Sequence, residues 1–209
     1  MQALVNLPTA KTELAGTWTI AAGKTTDGKS YSGTVQIHPM GQIYIMSWLT
    51  TIGDYSGLAF FEEGHLFAGC GLNDSYGVTL YKINPDGILD GKWTVPSYKG
   101  ACALENAVNP IPHQFEGSYH IGGANPNTGI HPGTLNIRQS GNAYQLTWFI
   151  GSEAQYQGIG LRAGDWLVAC WGLGSLCSLA YEIQGNRAQG RWAHSERLTL
   201  GEEILEKIC

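Results

Sequence analysis

Residues 143–149 read Ala-Tyr-Gln-Leu-Thr-Trp-Phe, so an extended chain puts Tyr144, Leu146 and Trp148 on one face and Gln145 and Thr147 on the other. Such period-two alternation predicts a half-buried β-strand. By the same pattern Leu135 and Ile137 point inward, with Thr134, Asn136 and Arg138 outward. Val35, Ile37, Trp18, Ile20, Leu89 and Trp93 take inward positions in the first half of the chain. There the alternation predicts strands over 16–22, 31–38, 42–51, 54–62, 65–71, 77–84, 87–95 and 101–106. Gly, Asn, Asp and Pro separate them, as tight turns require. No segment carries a helical period.

The pattern then occurs a second time. Leu14-Ala-Gly-Thr-Trp18 matches Phe115-Glu-Gly-Ser-Tyr119, and Tyr31-Ser-Gly33 matches His131-Pro-Gly133. Gly41-Gln-Ile-Tyr44-Ile-Met46-Ser-Trp48 matches Gly141-Asn-Ala-Tyr144-Gln-Leu146-Thr-Trp148. Tyr55 matches Tyr156, Cys70 matches Cys170, and Gly91-Lys-Trp93 matches Gly190-Arg-Trp192. At the end of each copy Leu104-Glu105 is matched with Leu205-Glu206. The chain therefore reads as an all-β fold of two tandem repeats of an antiparallel up-and-down meander. Closing each meander into an eight-stranded barrel removes exposed edges. The expected organisation is an N-terminal segment (1–13), a barrel over 14–107, a Pro-containing linker (108–114) and a second barrel over 115–209. The fifth strand of each copy is apolar on both faces (Leu66, Phe67, Ala68; Trp166, Leu167, Val168). Its outer face is expected to be covered by the other module, the two barrels packing about a pseudo-two-fold axis.

Composition agrees. Charged residues make up 14% and glycines number 29 of 209, fewer charges and more glycine than globular averages, as suits short strands and turns. A net charge of −5 with scattered Lys and Arg excludes a nucleic-acid polyanion as partner. No apolar run reaches membrane-span length, and the first residues carry no secretory pattern. These features favour a cytoplasmic protein, or a secreted one whose leader has been removed. Five cysteines, Cys70, Cys102, Cys170, Cys177 and Cys209, form no pair motif and read mainly as buried small hydrophobes.

Chemistry-bearing residues are few. None of the six histidines forms a close metal-binding pair, so no metal and no cofactor is expected. Glu63 and His65 stand in the turn before the fifth strand, and a His beside a carboxylate can act as acid or base. The second copy lacks both. Cys177 replaces Gly77, in the divergent stretch that also holds Trp171. The loop Gly122–Gly129 is Gly-rich but precedes a strand, so it lacks the helix N-terminus on which phosphate capture depends. The aromatic set is the larger resource: Trp18, Tyr44, Trp48, Trp93, Trp148, Trp166, Trp171 and Trp192 could line a pocket for a flat apolar ligand.

Gly16-Thr17-Trp18 in the first strand of an eight-stranded meander, with Gly117-Ser118-Tyr119 in the second copy, resembles the lipocalin and avidin-like (calycin) barrels. The resemblance implies a ligand in a barrel mouth. The first expectation is thus binding of a small apolar or aromatic molecule in a barrel or between barrels. The alternatives are a cofactor-independent isomerase or cyclase acting through aromatic residues and an acid or base, and an interaction module that associates as a homodimer.

Overall fold

The structure is a computed structural model that describes residues 12–111, 114–125, 129–151 and 153–208, with 12, 123–125 and 129–131 described by their backbone alone. His113, Cys209, residues 1–11 of the N-terminal segment, part of the 108–114 linker, residues 126–128 of the 122–129 loop and the side chain of His131 lie outside what is described.

Seventeen strands among the described residues account for the alternation read from the sequence. They are β1 (Gly16–Lys24), β2 (Ser30–Tyr31), β3 (Gly33–Met40), β4 (Ile43–Thr50), β5 (Gly53–Glu62), β6 (His65–Cys70), β7 (Tyr76–Ile83), β8 (Leu89–Thr94) and β9 (Ala103–Val108) in the first repeat. The second repeat has β10 (Gly117–Asn125), β11 (Gly129–Ser140), β12 (Ala143–Ile150), β13 (Glu153–Ala163), β14 (Trp166–Gly172), β15 (Cys177–Gln184), β16 (Arg187–His194) and β17 (Gly201–Lys207). The helical elements among the described residues are two single 3-10 turns, Thr12–Leu14 and Pro96–Tyr98. No helix among them is long and apolar enough to cross a membrane.

The strands form two closed antiparallel eight-stranded barrels, as expected, but each repeat does not close on itself. In barrel one the order is β17-β16-β15-β6-β5-β4-β3-β1, β17 closing on β1, with short β2 added at the end of β1. Barrel two runs β10-β11-β12-β13-β14-β7-β8-β9, β9 pairing with β10. The division into a barrel over 14–107 and another over 115–209 is therefore corrected. The first five long strands of each repeat are completed by the last three of the other.

The two-faced apolar strands supply the physical reason. β6 pairs with β15, and β14 pairs with β7. Their inner side chains fill the barrels: Leu66 and Ala68 join the core of barrel one, and Leu167 and Ala169 that of barrel two. Their outer side chains, Phe67 and Val168, join Leu58, Phe60, Val78 and Leu80 in a third apolar cluster between the barrels. A chain that leaves one barrel at residue 70 enters the other at residue 76, which buries both faces of these strands. Gly69 permits the close approach, because a Cβ there would come within 2.7 Å of Val78 Cγ2 and 3.0 Å of Cys170 Cβ. Ser178 bridges the polar remainder. Its hydroxyl donates to the Ile159 carbonyl and accepts from the Cys170 N–H, both at 2.8 Å.

Candidate functional site

Barrel one has an open end and a closed end. At the closed end, where β1 begins, the Trp18 indole N–H donates to the Leu14 carbonyl at 3.1 Å, and the Lys207 ammonium lies 5.9 Å from the ring centre. At the other end, where β4 and β6 finish, a cavity of about 900 Å³ enters the barrel. Its walls carry four aromatic rings: Tyr31, Trp48, Tyr55 and Trp192. Leu49, Ile52, Tyr55 and Leu72 stand exposed around its rim.

Glu203 reaches this cavity from β17 and is only 2% exposed. It is placed by glycines. Glu203 sits opposite Gly23 in β1 and Gly190 in β16. A Cβ on Gly190 would stand 2.3 Å from the Tyr181 ring, and one on Gly23 would stand 2.8 Å from the Tyr31 ring. The two tyrosines thus lie flat over bare backbone on either side of the carboxyl. Tyr31 donates its hydroxyl proton to Glu203 Oε2 at 2.9 Å. Glu203 Oε1 has no partner, and neither do Trp48 Nε1, Trp192 Nε1 or the Tyr181 hydroxyl, although all are buried. Trp48 and Tyr181 face the carboxyl without completing hydrogen bonds to it. Burial pushes the Glu203 carboxyl up to about 7, against the opposing pull of Tyr31, Trp48 and Tyr181. Burial likewise holds the Tyr31 and Tyr181 phenols above their usual range. Buried polar groups in native proteins nearly all find partners, so four orphaned atoms in one cluster are a feature to be explained.

Barrel two carries the same cluster in a satisfied form. Glu105 lies opposite Gly91 and Gly123, which match Gly190 and Gly23. The Tyr81 hydroxyl donates to Glu105, and the Trp148 indole N–H donates to Glu105 Oε1 at 3.2 Å. Glu105 therefore corresponds to Glu203; the match of Leu104-Glu105 with Leu205-Glu206 is displaced by three residues. The larger difference is Trp171, which stands where barrel one has Cys70: each pairs with the matching glycine of the neighbouring strand, Gly158 or Gly57. Its indole packs 6.0 Å from Trp93, 6.3 Å from Trp148 and 4.8 Å from Tyr156, centre to centre. Those three rings are the counterparts of Trp192, Trp48 and Tyr55, which line the cavity of barrel one. The space that is open in one barrel holds an indole in the other.

The residues singled out from sequence fall into four places. Trp48 and Trp192 line the cavity. Trp93, Trp148 and Trp171 form the matching group in barrel two. Trp18 and Tyr44 are core residues of barrel one. Trp166 lies between the barrels, 5.7 Å from the Phe67 ring. Glu63 and His65 are close to each other, His65 Nδ1 lying 3.0 Å from the Glu63 carbonyl, but on the outside of barrel one. The Glu63 carboxylate binds Lys82 Nζ at 3.0 Å and the Trp166 indole N–H at 3.1 Å. Lys82 and then Trp166 hold it below its ordinary value. That contact ties the β5–β6 hairpin of barrel one to barrel two. His65 borders a separate outer groove of about 380 Å³ with Glu182 and Arg191. His38 and His120 are exposed, as the alternation predicts.

Cys70 and Cys177 are direct partners across β6 and β15, and both line the cavity. The Cys177 thiol, followed by burial, holds that of Cys70 well above its ordinary value. No group of His, Cys, Asp and Glu among the described residues is arranged to hold a metal ion. No family model, curated protein or solved structure matches this chain. The class is set by the fold alone: a pair of β-barrels with exchanged strands, one with a cavity ending on a buried carboxyl.

Proposed function

We propose that barrel one binds a small molecule with an apolar or aromatic body, held in its mouth with a polar group directed at Glu203. The observation that carries this reading is the orphaned cluster of Trp48, Tyr181, Trp192 and Glu203 at the base of a 900 Å³ cavity. Ligand pockets combine apolar walls with a few convergent polar groups, and exposed apolar rims commonly mark interaction sites. The likeness of Gly16-Thr17-Trp18 to the first strand of lipocalin and avidin-like barrels is in keeping with it. Trp48 and Trp192 give the test its signal. A panel of small aromatic compounds is expected to quench their fluorescence and to give a one-to-one complex by native mass spectrometry. Cys177→Trp, which places an indole in the cavity, is expected to abolish both. Absence of binding across the panel, or binding that survives Cys177→Trp, speaks against the reading.

A second reading, a cofactor-independent isomerase or cyclase, is favoured by one observation. A carboxyl poised at about 7 inside an aromatic enclosure suits a general acid or base at neutral pH. Under this reading Glu203→Gln retains ligand and loses turnover.

A further inference from the structure

The charges around the cavity are one-sided. Three carboxyl groups line it, Asp54 and Asp74 towards the rim and Glu203 at the base. His194 is the basic side chain among the lining residues; no Lys or Arg is among them. Burial holds His194 below its usual value, which keeps it neutral at physiological pH. Along β1, β16 and β17 the charged neighbours Lys24, Arg191 and Glu202 are exposed and line the outer groove instead. Glu203 is thus approached from inside by the neutral side chains Tyr31, Trp48, Tyr181 and Trp192. The remaining titratable groups that face the cavity are Tyr55, Cys70 and Cys177.

Resting on the binding reading above, we propose that the ligand of barrel one is an organic cation: an ammonium group set against Glu203 and the surrounding aromatic faces, with its apolar body towards the rim. Aromatic faces attract cations, most strongly when both are desolvated. A buried carboxylate costs free energy unless a counter-charge accompanies it. Glu203 Oε1 has no partner within the protein, and a cationic ligand would provide one. The orphaned donors that face it, the Trp48 indole N–H and the Tyr181 hydroxyl, then serve the ionised carboxylate. A neutral ligand would leave the acidic rim and the unopposed carboxyl without a role.

The proposal couples binding to protonation. At neutral pH the empty cavity holds Glu203 partly protonated, since its carboxyl is pushed up to about 7. A cation selects the ionised form, so binding releases a proton and weakens as pH falls.

The test compares benzyltrimethylammonium with neopentylbenzene, its neutral carbon isostere, by quenching of tryptophan fluorescence. The ammonium carries no titratable proton, so any pH dependence belongs to the protein. On the unaltered chain at pH 8 the cation is expected to bind at least tenfold more tightly than the isostere. Its affinity is expected to fall by roughly tenfold between pH 8 and pH 6, the factor for one group titrating near 7. His194→Gln is expected to keep that pH dependence, and Glu203→Gln to lose both it and the preference for the cation. Equal or tighter binding of the isostere overturns the proposal while leaving the cavity a binding site. Failure of both compounds and of the wider aromatic panel overturns the binding reading as well. The comparison of isosteres uses the unaltered chain, so it decides the matter even if Glu203→Gln does not fold.

Discussion

Trp171 and Gly77 face each other across β14 and β7, and a Cβ on Gly77 would stand 2.2 Å from the indole. In barrel one the same two positions hold Cys70 and Cys177. One indole over a glycine in barrel two, against two small thiols in barrel one, leaves the second space filled and the first open. Trp171→Gly is expected to open barrel two and to destabilise the protein by about 2–3 kcal/mol, below the range of about 3–5 kcal/mol for a fully buried aromatic because this indole is half-buried. Part of that cost comes from Thr79, which is buried and loses its 2.9 Å bond from the indole N–H. Thermal unfolding measures the loss. A variant as stable as the parent would show that the indole is not packed as described.

Glu203 predicts a particular dependence of stability on pH. Its folded value is raised to about 7 from an ordinary 4.5, so the native state binds a proton that the unfolded state releases between those limits. Stability from this group is therefore greatest below about 4.5 and falls as pH rises to about 7. The full difference is on the order of 3 kcal/mol at 1.36 kcal/mol per unit. Glu203→Gln removes the titration, and its stability relative to the parent is expected to improve steadily from pH 5 to pH 8. His194, held below its usual value, acts in the opposite direction on the acid side, and comparison of the two chains cancels it. Denaturant unfolding at several pH values makes the measurement, and a constant difference between parent and variant would contradict the assignment.

Barrel two occupies one continuous stretch, β7 to β14, whereas barrel one is split between residues 16–70 and 177–207. A fragment spanning 73–175 is accordingly expected to fold alone as a monomeric barrel. A fragment of the first repeat, 12–109, cannot complete either barrel within one copy. It is expected to dimerise by exchanging its last three strands, or to remain unfolded. Native mass spectrometry and far-ultraviolet dichroism distinguish these states. A monomeric, cooperatively folded 12–109 would contradict the strand order.

The thiols should react in order of access. Cys102 and Cys170 are fully buried, and burial holds the Cys102 thiol up at about 11. Cys177 is the most exposed of the four described cysteines and faces the cavity. Alkylation of the folded protein, read by peptide mapping, is expected at Cys177 before the other three. A molecule bound in the cavity should slow it. Labelling of Cys102 or Cys170 at the same rate would show that the barrels open more readily than the packing implies.

The alternation of side chains was sufficient to find every long strand and the inward faces of Val35, Ile37, Leu135, Leu146 and Trp148, because burial on one side of a sheet forces a period of two. It could not reveal the strand exchange. A repeat that closes on itself and one that closes on its neighbour bury the same positions, and only the pairing of β6 with β15 rather than β7 separates them. Leu66, Phe67 and Ala68 did show that this strand has two covered faces. Glu203 was hidden for a local reason. It stands in Gly201-Glu-Glu-Ile-Leu-Glu206 beside two other carboxylates, and alternation cannot tell an inward Glu from an outward one. The available signal was the repeated pair of Gly91 and Gly190, each lying under a tyrosine ring beside the inward carboxyl. Glu63 and His65 drew attention through adjacency, but their turn projects from the sheet towards the other barrel.

The closing seam of barrel one has a consequence for synthesis. Trp18 pairs with Lys207 at the β1–β17 edge, so β1 waits until the sixteen strands that follow it have been made. Barrel two can close while β15, β16 and β17 are still unmade, since domains fold as their residues become available. During that interval β6 presents a bare edge and an apolar interior, the kind of surface that invites wrong pairing. Tyr181, Trp192 and Glu203 all arrive in those last three strands. The cavity therefore comes into being only once β17 has been made, and a chain stopped before β17 carries a finished second barrel beside an open sheet that has no acid at its base.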